Sequence, residues 1–193
     1  MAVGGAICFL SGSVDMCGAN SRGQCNLPPL AQDVRYTQIS LGWHHTVALC
    51  DDGTAVACGL NTCGQCDIPQ YDPNQAGHEP YTQVSAGISH TVLLRLDGTA
   101  IACGLNSWGQ CEIPELPEGM TYIQVAGGMY HTVLLRSDGT AISIGMWRLR
   151  TLPELPEGVR YTQVCAGFNL TGLLRSDGIV LSYERWQWVR RQM

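Results

Sequence analysis

Three of the five histidines, ten cysteines and a series of Asp-Gly pairs are the side chains of this chain best placed for chemistry. His45, His90 and His131 each stand three residues after a glycine, and three imidazoles form a metal centre only where their rings converge. Their recurrence at one place in successive stretches spreads them along the chain. The expectation is therefore one hydrogen-bonded structural histidine per stretch, with Leu170 in the fourth such place. Cys63-Gly64-Gln65-Cys66 is a lone CxxC without a second pair at zinc spacing, which disfavours a metal or redox role. Cys17, Cys58 and Cys103 precede a glycine, whereas Cys25, Cys66 and Cys111 follow Gly-Gln. Thiols repeated in register record packing, so reduced cysteines in a cytoplasmic or nuclear protein are expected. The Asp-Gly acids read as turns rather than as a catalytic dyad. Gly23-Gln24, Gly64-Gln65 and Gly109-Gln110 order loops and cradle no phosphate, because no helix start follows them. No nucleophile, base and acid form a set. The sequence predicts no catalytic residue, no cofactor and no metal.

The elements that position these residues come from an internal repeat. Units begin at Tyr36, Tyr81, Tyr122 and Tyr161, at spacings of 45, 41 and 39 residues. An incomplete unit opens the chain, with Ser11-Gly12 in place of Asp-Gly and Cys17-Gly18-Ala19-Asn20 matching Cys103-Gly104-Leu105-Asn106. The units run over about 1–33, 34–78, 79–119, 120–158 and 159–193, as one repeat domain. Within a unit the pattern is a β-meander: Tyr81 to Ala86 alternates, and Thr91 to Arg95 is a β-branched and leucine run. Asp97-Gly98 predicts a two-residue hairpin that sets Leu94 opposite Ile101 and Val92 opposite Cys103. Both faces of that hairpin are apolar, so each sheet needs cover on two sides, and neighbouring units are the obvious covers. All nine prolines fall in the connections.

Composition agrees with many short strands. Apolar residues make up 45% and charged residues 14%, which excludes a disordered chain, and no apolar run is long enough for a membrane helix. Lysine is absent. Residues 1–158 carry six Arg against fourteen acids (−8) and residues 159–193 five Arg against two (+3), which together give the net −5. An acidic body lacks the basic stripe that nucleic acid requires.

The succession Ala86-Gly87-x-x-His90-Thr91-Val92-x-Leu94, Asp97-Gly98-Thr99, Cys103-Gly104-x-Asn106 and Gly109-Gln110 resembles the regulator-of-chromosome-condensation repeat. The short period is more similar to the propeller-type β-lactamase inhibitory proteins. The resemblance implies an all-β fold, a β-propeller commonly of seven blades. This chain holds about five short ones, and the short reach of its last segment predicts an incomplete ring. Residues 185–190 alternate like a strand that could pair with the open edge of the first unit. If they do not, self-association or association with missing blades is expected.

Against the constant framework, two positions after the glycine vary: Trp43-His44, Ile88-Ser89, Met129-Tyr130 and Phe168-Asn169. The loop after Cys-Gly varies too, and presents Trp108 in one unit. Changing large residues on a fixed scaffold read either as a recognition surface or as ordinary loop divergence and interblade packing. The leading expectation is a non-catalytic propeller that binds a protein partner through these loops. The resemblance also implies three alternatives: regulation of a small GTPase by nucleotide exchange, association with a HECT ubiquitin ligase, and ultraviolet-B reception. For the last, Gly42-Trp43-His44-His45-Thr46 is similar to the photoreceptor motif, but Ile88, Met129 and Phe168 hold the other tryptophan places.

Overall fold

The protein is described from a computed structural model covering residues 6–10, 13–75, 78–146, 152–184 and 187–192. Ser11-Gly12, residues 147–150 and residues 185–186, the start of the expected terminal strand, lie outside the described residues. The described residues form strands, turns and loops, with no helix long and apolar enough to cross a membrane.

Among the described residues, five small antiparallel sheets follow one another along the chain. The first is a hairpin of β1 (Ala6–Leu10) and β2 (Ser13–Cys17). Three meanders follow: β3 (Tyr36–Leu41), β4 (His45–Cys50) and β5 (Ala55–Gly59); β6 (Tyr81–Ala86), β7 (His90–Arg95) and β8 (Ala100–Gly104); β9 (Tyr122–Gly127), β10 (His131–Arg136) and β11 (Ala141–Gly145). The last sheet has four strands: β12 (Tyr161–Ala166), β13 (Thr171–Arg175), β14 (Ile179–Glu184) and β15 (Gln187–Gln192). The leading strands β3, β6, β9 and β12 touch in succession.

The middle strands are buried on both faces, as their unbroken apolar runs require: β4 is buried over its whole length, and β7 and β10 all but their last residue. Each junction between blades holds its own core. Val47, Leu49 and Ala55 of one blade pack against Tyr81, Val84, Ala86 and Leu93 of the next. Val92 and Leu94 meet Tyr122, Val125 and Leu134, and Val133 and Leu135 meet Tyr161, Val164 and Leu173. A bulge after each leading tyrosine, between Tyr81 and Gln83 for example, puts Tyr81 and Val84 on one buried face although they are three residues apart. Each tyrosine hydroxyl donates to a proline carbonyl: Tyr36 to Pro28, Tyr81 to Pro69, Tyr122 to Pro114 and Tyr161 to Pro153, at 2.6–2.8 Å.

One expectation needs correcting. The Asp-Gly hairpin is a three-residue loop, closed by Arg95 N–H to Thr99 O at 2.8 Å, so Leu93 faces Ile101 and Val92 faces Ala102. Asp97 accepts from both the amide and the hydroxyl of Thr99, at 2.8 and 2.7 Å. Only Gly98 takes the left-handed conformation, with φ of 80°, as in a type I turn completed by a glycine bulge. The terminal strand agrees with the expected short reach: β15 adds to β14 as the outermost strand of its own blade and not to the first hairpin, with only two residues between Glu184 and Gln187.

Candidate functional site

The glycine-x-x-histidine segment is a tight connection between the first and second strands of each blade. Gly42, Gly87 and Gly128 donate their N–H to the carbonyls of His45, His90 and His131 at 2.8–2.9 Å. A Cβ on any of these glycines would lie 2.2–2.4 Å from the ring of its own histidine. The ring thus fills the place a side chain would need. At Gly167, where Leu170 replaces the histidine, the nearest atom would be 3.7 Å away.

Each imidazole reaches into the next blade. His45 Nε2 meets the Thr91 hydroxyl at 3.0 Å, His90 Nε2 that of Thr132 at 3.0 Å, and His131 Nε2 that of Thr171 at 2.9 Å. Thr91 donates its proton to Gln65 O at 2.7 Å and Thr132 donates to Gln110 O at 2.8 Å. A hydroxyl has one proton, so for these two pairs the hydrogen between ring and hydroxyl belongs to Nε2. Nδ1 of all three rings is buried without a hydrogen-bond partner among the described residues. Burial pushes the pKa of each imidazole down to about 4, because the charged form would lose its hydration. The rings are neutral latches between blades and do not converge.

The other chemical residues are committed in the same way. Gln24, Gln65 and Gln110 accept from the amides of Arg22, Cys63 and Trp108 at 2.9–3.0 Å, and Asn20, Asn61 and Asn106 accept from those of Cys25, Cys66 and Cys111. Cys66 and Cys111 thiols donate to the carbonyls of Leu60 and Leu105, while Cys58 donates to that of Gln24. Burial raises the pKa of Cys58 and Cys111 to about 11 and that of Cys103 to about 12, which keeps these thiols protonated and unreactive. No group of three metal-ligating side chains is found among the described residues.

The first residue after each glycine behaves differently. Trp43, Ile88, Met129 and Phe168 line one cleft of about 500 Å³ at the mouth of the arc, together with the glycines and Leu41. Ile88 N–H donates to Gly128 O and Met129 N–H to Gly167 O, which ties adjacent rims together. Trp43 and Phe168, from the first and last complete blades, bring their ring centroids to 5.5 Å. They remain 39% and 48% exposed, and no lining residue is ionisable. Such a surface can bury an apolar group but cannot move a proton.

The other proposed residues lie elsewhere. His44, Ser89, Tyr130 and Asn169 do not line the cleft. The first three offer their carbonyls to the amides of Leu60, Leu105 and Met146, and the His44 ring lies edge-on to Trp43. Trp108 is exposed on a loop away from the cleft. Two central residues of a tight connection point to different sides, which is the signal that separates the members of each pair. Leu41 was missed by sequence reasoning because it ends a strand in a place where the other units carry Ala86, Ala166 or a glycine.

Comparison with known proteins agrees with this geometry. Residues 36–65 and 81–110 each match the family model of the regulator of chromosome condensation (RCC1) repeat. No curated protein sequence matches the chain. Human WBSCR16 is similar in structure, with 21% identity and a TM-score of 0.71 over 88% of this chain and 55% of that one. Prp20p of Saccharomyces cerevisiae gives 20% identity and a TM-score of 0.68 over 89% and 53%. The ectodomain of the Physcomitrella patens receptor kinase CR4 gives 21% and 0.64 over 89% and 47%. The chain thus spans about half the length of these solved chains. The fold is an all-β propeller array of the RCC1 type.

Proposed function

We propose that this protein is a non-catalytic interaction module that binds a protein partner at the mouth of its arc, seating an apolar side chain of the partner between Trp43, Ile88, Met129 and Phe168. The observation that carries this reading is the convergence of these four positions, which differ from unit to unit, on a single cleft. The volume suits one or two large side chains, and half-exposed aromatic residues at the centre of a concave surface are the usual anchors of protein interfaces. Relatives in fold give general support: Kap60 is seen bound to yeast Prp20, and Prp20p has binding properties toward Gsp1p and histones.

The test is selection of ligands from a displayed peptide library, followed by measurement on a double variant, Trp43→Ser with Phe168→Ser. Losing an anchor residue costs about 2 kcal/mol, or roughly thirtyfold in affinity. The selected peptides should share an apolar anchor and lose at least that much affinity, while the melting temperature is retained. Binding unchanged by the double variant would reject the cleft as the docking site. Loss of folding would assign Trp43 and Phe168 to packing instead.

A further inference from the structure

Two kinds of polar tie join neighbouring blades, and only one of them can take up a proton. The first is a glutamine clasp. The Gln38 side chain holds the main chain of Val84, accepting from its N–H at 2.9 Å and donating to its carbonyl at 3.1 Å. Gln83 makes the same pair of bonds to Val125, at 2.9 and 3.1 Å, and Gln124 accepts from Val164 N–H at 2.8 Å. Gln163, the fourth of the series, is exposed. A carboxamide does not titrate, and each held valine belongs to a junction core, so the clasps are indifferent to pH. The second tie is the histidine latch at the rim.

At His45 and His90 the bond to threonine already uses Nε2–H, so the second proton of an imidazolium has to sit on Nδ1. That atom is buried with no acceptor among the described residues, and it lies against the rim glycine, 2.5 Å from where a Cβ would stand in all three connections. A charged ring in the latched position therefore leaves a buried N–H unpaired. The titratable groups facing the rings do not offset the charge. His90 feels His45 and His131, and His45 shares a small pocket with the Cys17 and Cys25 thiols. No carboxylate acts on any of the three. Each rim glycine has the ring against it, while Gly42, Gly87 and Gly128 also line the mouth cleft. Trp43, Ile88 and Met129, which line it with them, each stand two residues before a latch.

We propose that His45, His90 and His131 are positioning residues for the mouth cleft, and that acid releases its partner by unlatching the rim while the glutamine clasps hold the blades together. The proposal rests on the mouth as the docking site. Because no residue lining the cleft is ionisable, an uncharged partner gives binding no other source of pH dependence at the contact itself. The latches supply one from behind the rim.

The rim is read first in the free, full chain. Tryptophan is replaced by 5-fluorotryptophan, and the fluorine resonance of Trp43, assigned by Trp43→Phe, is followed from about pH 7 to about pH 4. The His44 ring lies edge-on to Trp43, so a His44→Gln background removes its own titration. One transition below the ordinary histidine range is expected, and His45→Leu should abolish it. Trp188, packed against Tyr183 in the last blade, and the far-ultraviolet spectrum should not change. The second readout is the affinity of a selected peptide that has no titratable side chain. Near pH 4 each ring is half protonated, so about one molecule in eight keeps all three latches and affinity should fall at least about eightfold. A Trp43 signal that stays flat in the folded chain, moves only together with Trp188, or survives His45→Leu would overturn the proposal. The parent titration decides even if that variant does not fold. A peptide held as tightly in acid as at neutral pH would also overturn it. Failure to select any peptide would reject the docking site itself, and the fluorine titration tells the two failures apart.

Discussion

Gly87 and Gly167 occupy the same place in their units but tolerate a methyl group very differently. A Cβ at Gly87 would lie 2.3 Å from the His90 ring and 2.5 Å from Gly128 O, whereas one at Gly167 meets nothing closer than 3.7 Å. Gly87→Ala should therefore destabilise by about 1–3 kcal/mol or more, and Gly167→Ala by little, as thermal melts of the two variants would show. The histidines beside the crowded glycines set the response to acid. Their folded pKa near 4 lies below the ordinary value of 6.5. As pH falls below 6.5 the unfolded chain takes up protons that the folded chain refuses until near pH 4, so stability falls across that window. Each histidine contributes about 1.4 kcal/mol per pH unit there. His90→Leu, which copies Leu170, should flatten the pH dependence of urea unfolding by about a third; an unchanged slope would show that the rings do not control it. Among the thiols, exposed Cys17, Cys63 and Cys165 should label quickly, whereas Cys58, Cys103 and Cys111 should wait for denaturant, as mass spectrometry of timed labelling would reveal.

At the scale of the strand, side chains stand in for main chain. Gln83→Ala strips the partner from both main-chain groups of Val125 in a closed junction, and leaving such groups unpaired costs about 1–3 kcal/mol. Gln163→Ala strips nothing and should stay within about 0.5 kcal/mol of the parent. Chemical denaturation of the pair measures the difference directly. The strand plan was legible in the sequence because apolar periodicity and the recurring tyrosines report burial, which is a local property. The hairpin register was not, since it depends on whether Asp97 joins Gly98 in the left-handed conformation, and Asp97, bonded to Thr99 through its carboxylate, does not. The glutamine clasp escaped notice for a related reason: Gln38 and Gln83 look like ordinary polar strand residues until the next blade is set beside them. Of the candidate pairs, the sequence marked the variable positions but could not say that Trp43 and Phe168, 125 residues apart, would touch.

In the molecule as a whole, each blade is held mainly by its neighbours, so damage should stay local. Removing residues 187–193 takes away β15 and the Trp188 ring that packs against Tyr183 and the core of the last junction. Amide exchange should quicken in β12 to β14 while β3 to β8 keep their protection; global unfolding would show that the array is held as one cooperative body. The glutamine clasp has one more consequence, for how such a chain changes over generations. It grips backbone rather than side chain, so these bonds do not depend on which side chain the held residue carries, although Val84, Val125 and Val164 also fill the junction cores. A unit copied whole from one tyrosine to the next would carry a forward-reaching glutamine and a receptive strand, and would fit wherever it was inserted. The array can thus lengthen by duplication without redesign of its joints, and each new copy is free to drift at the single rim position that faces the mouth.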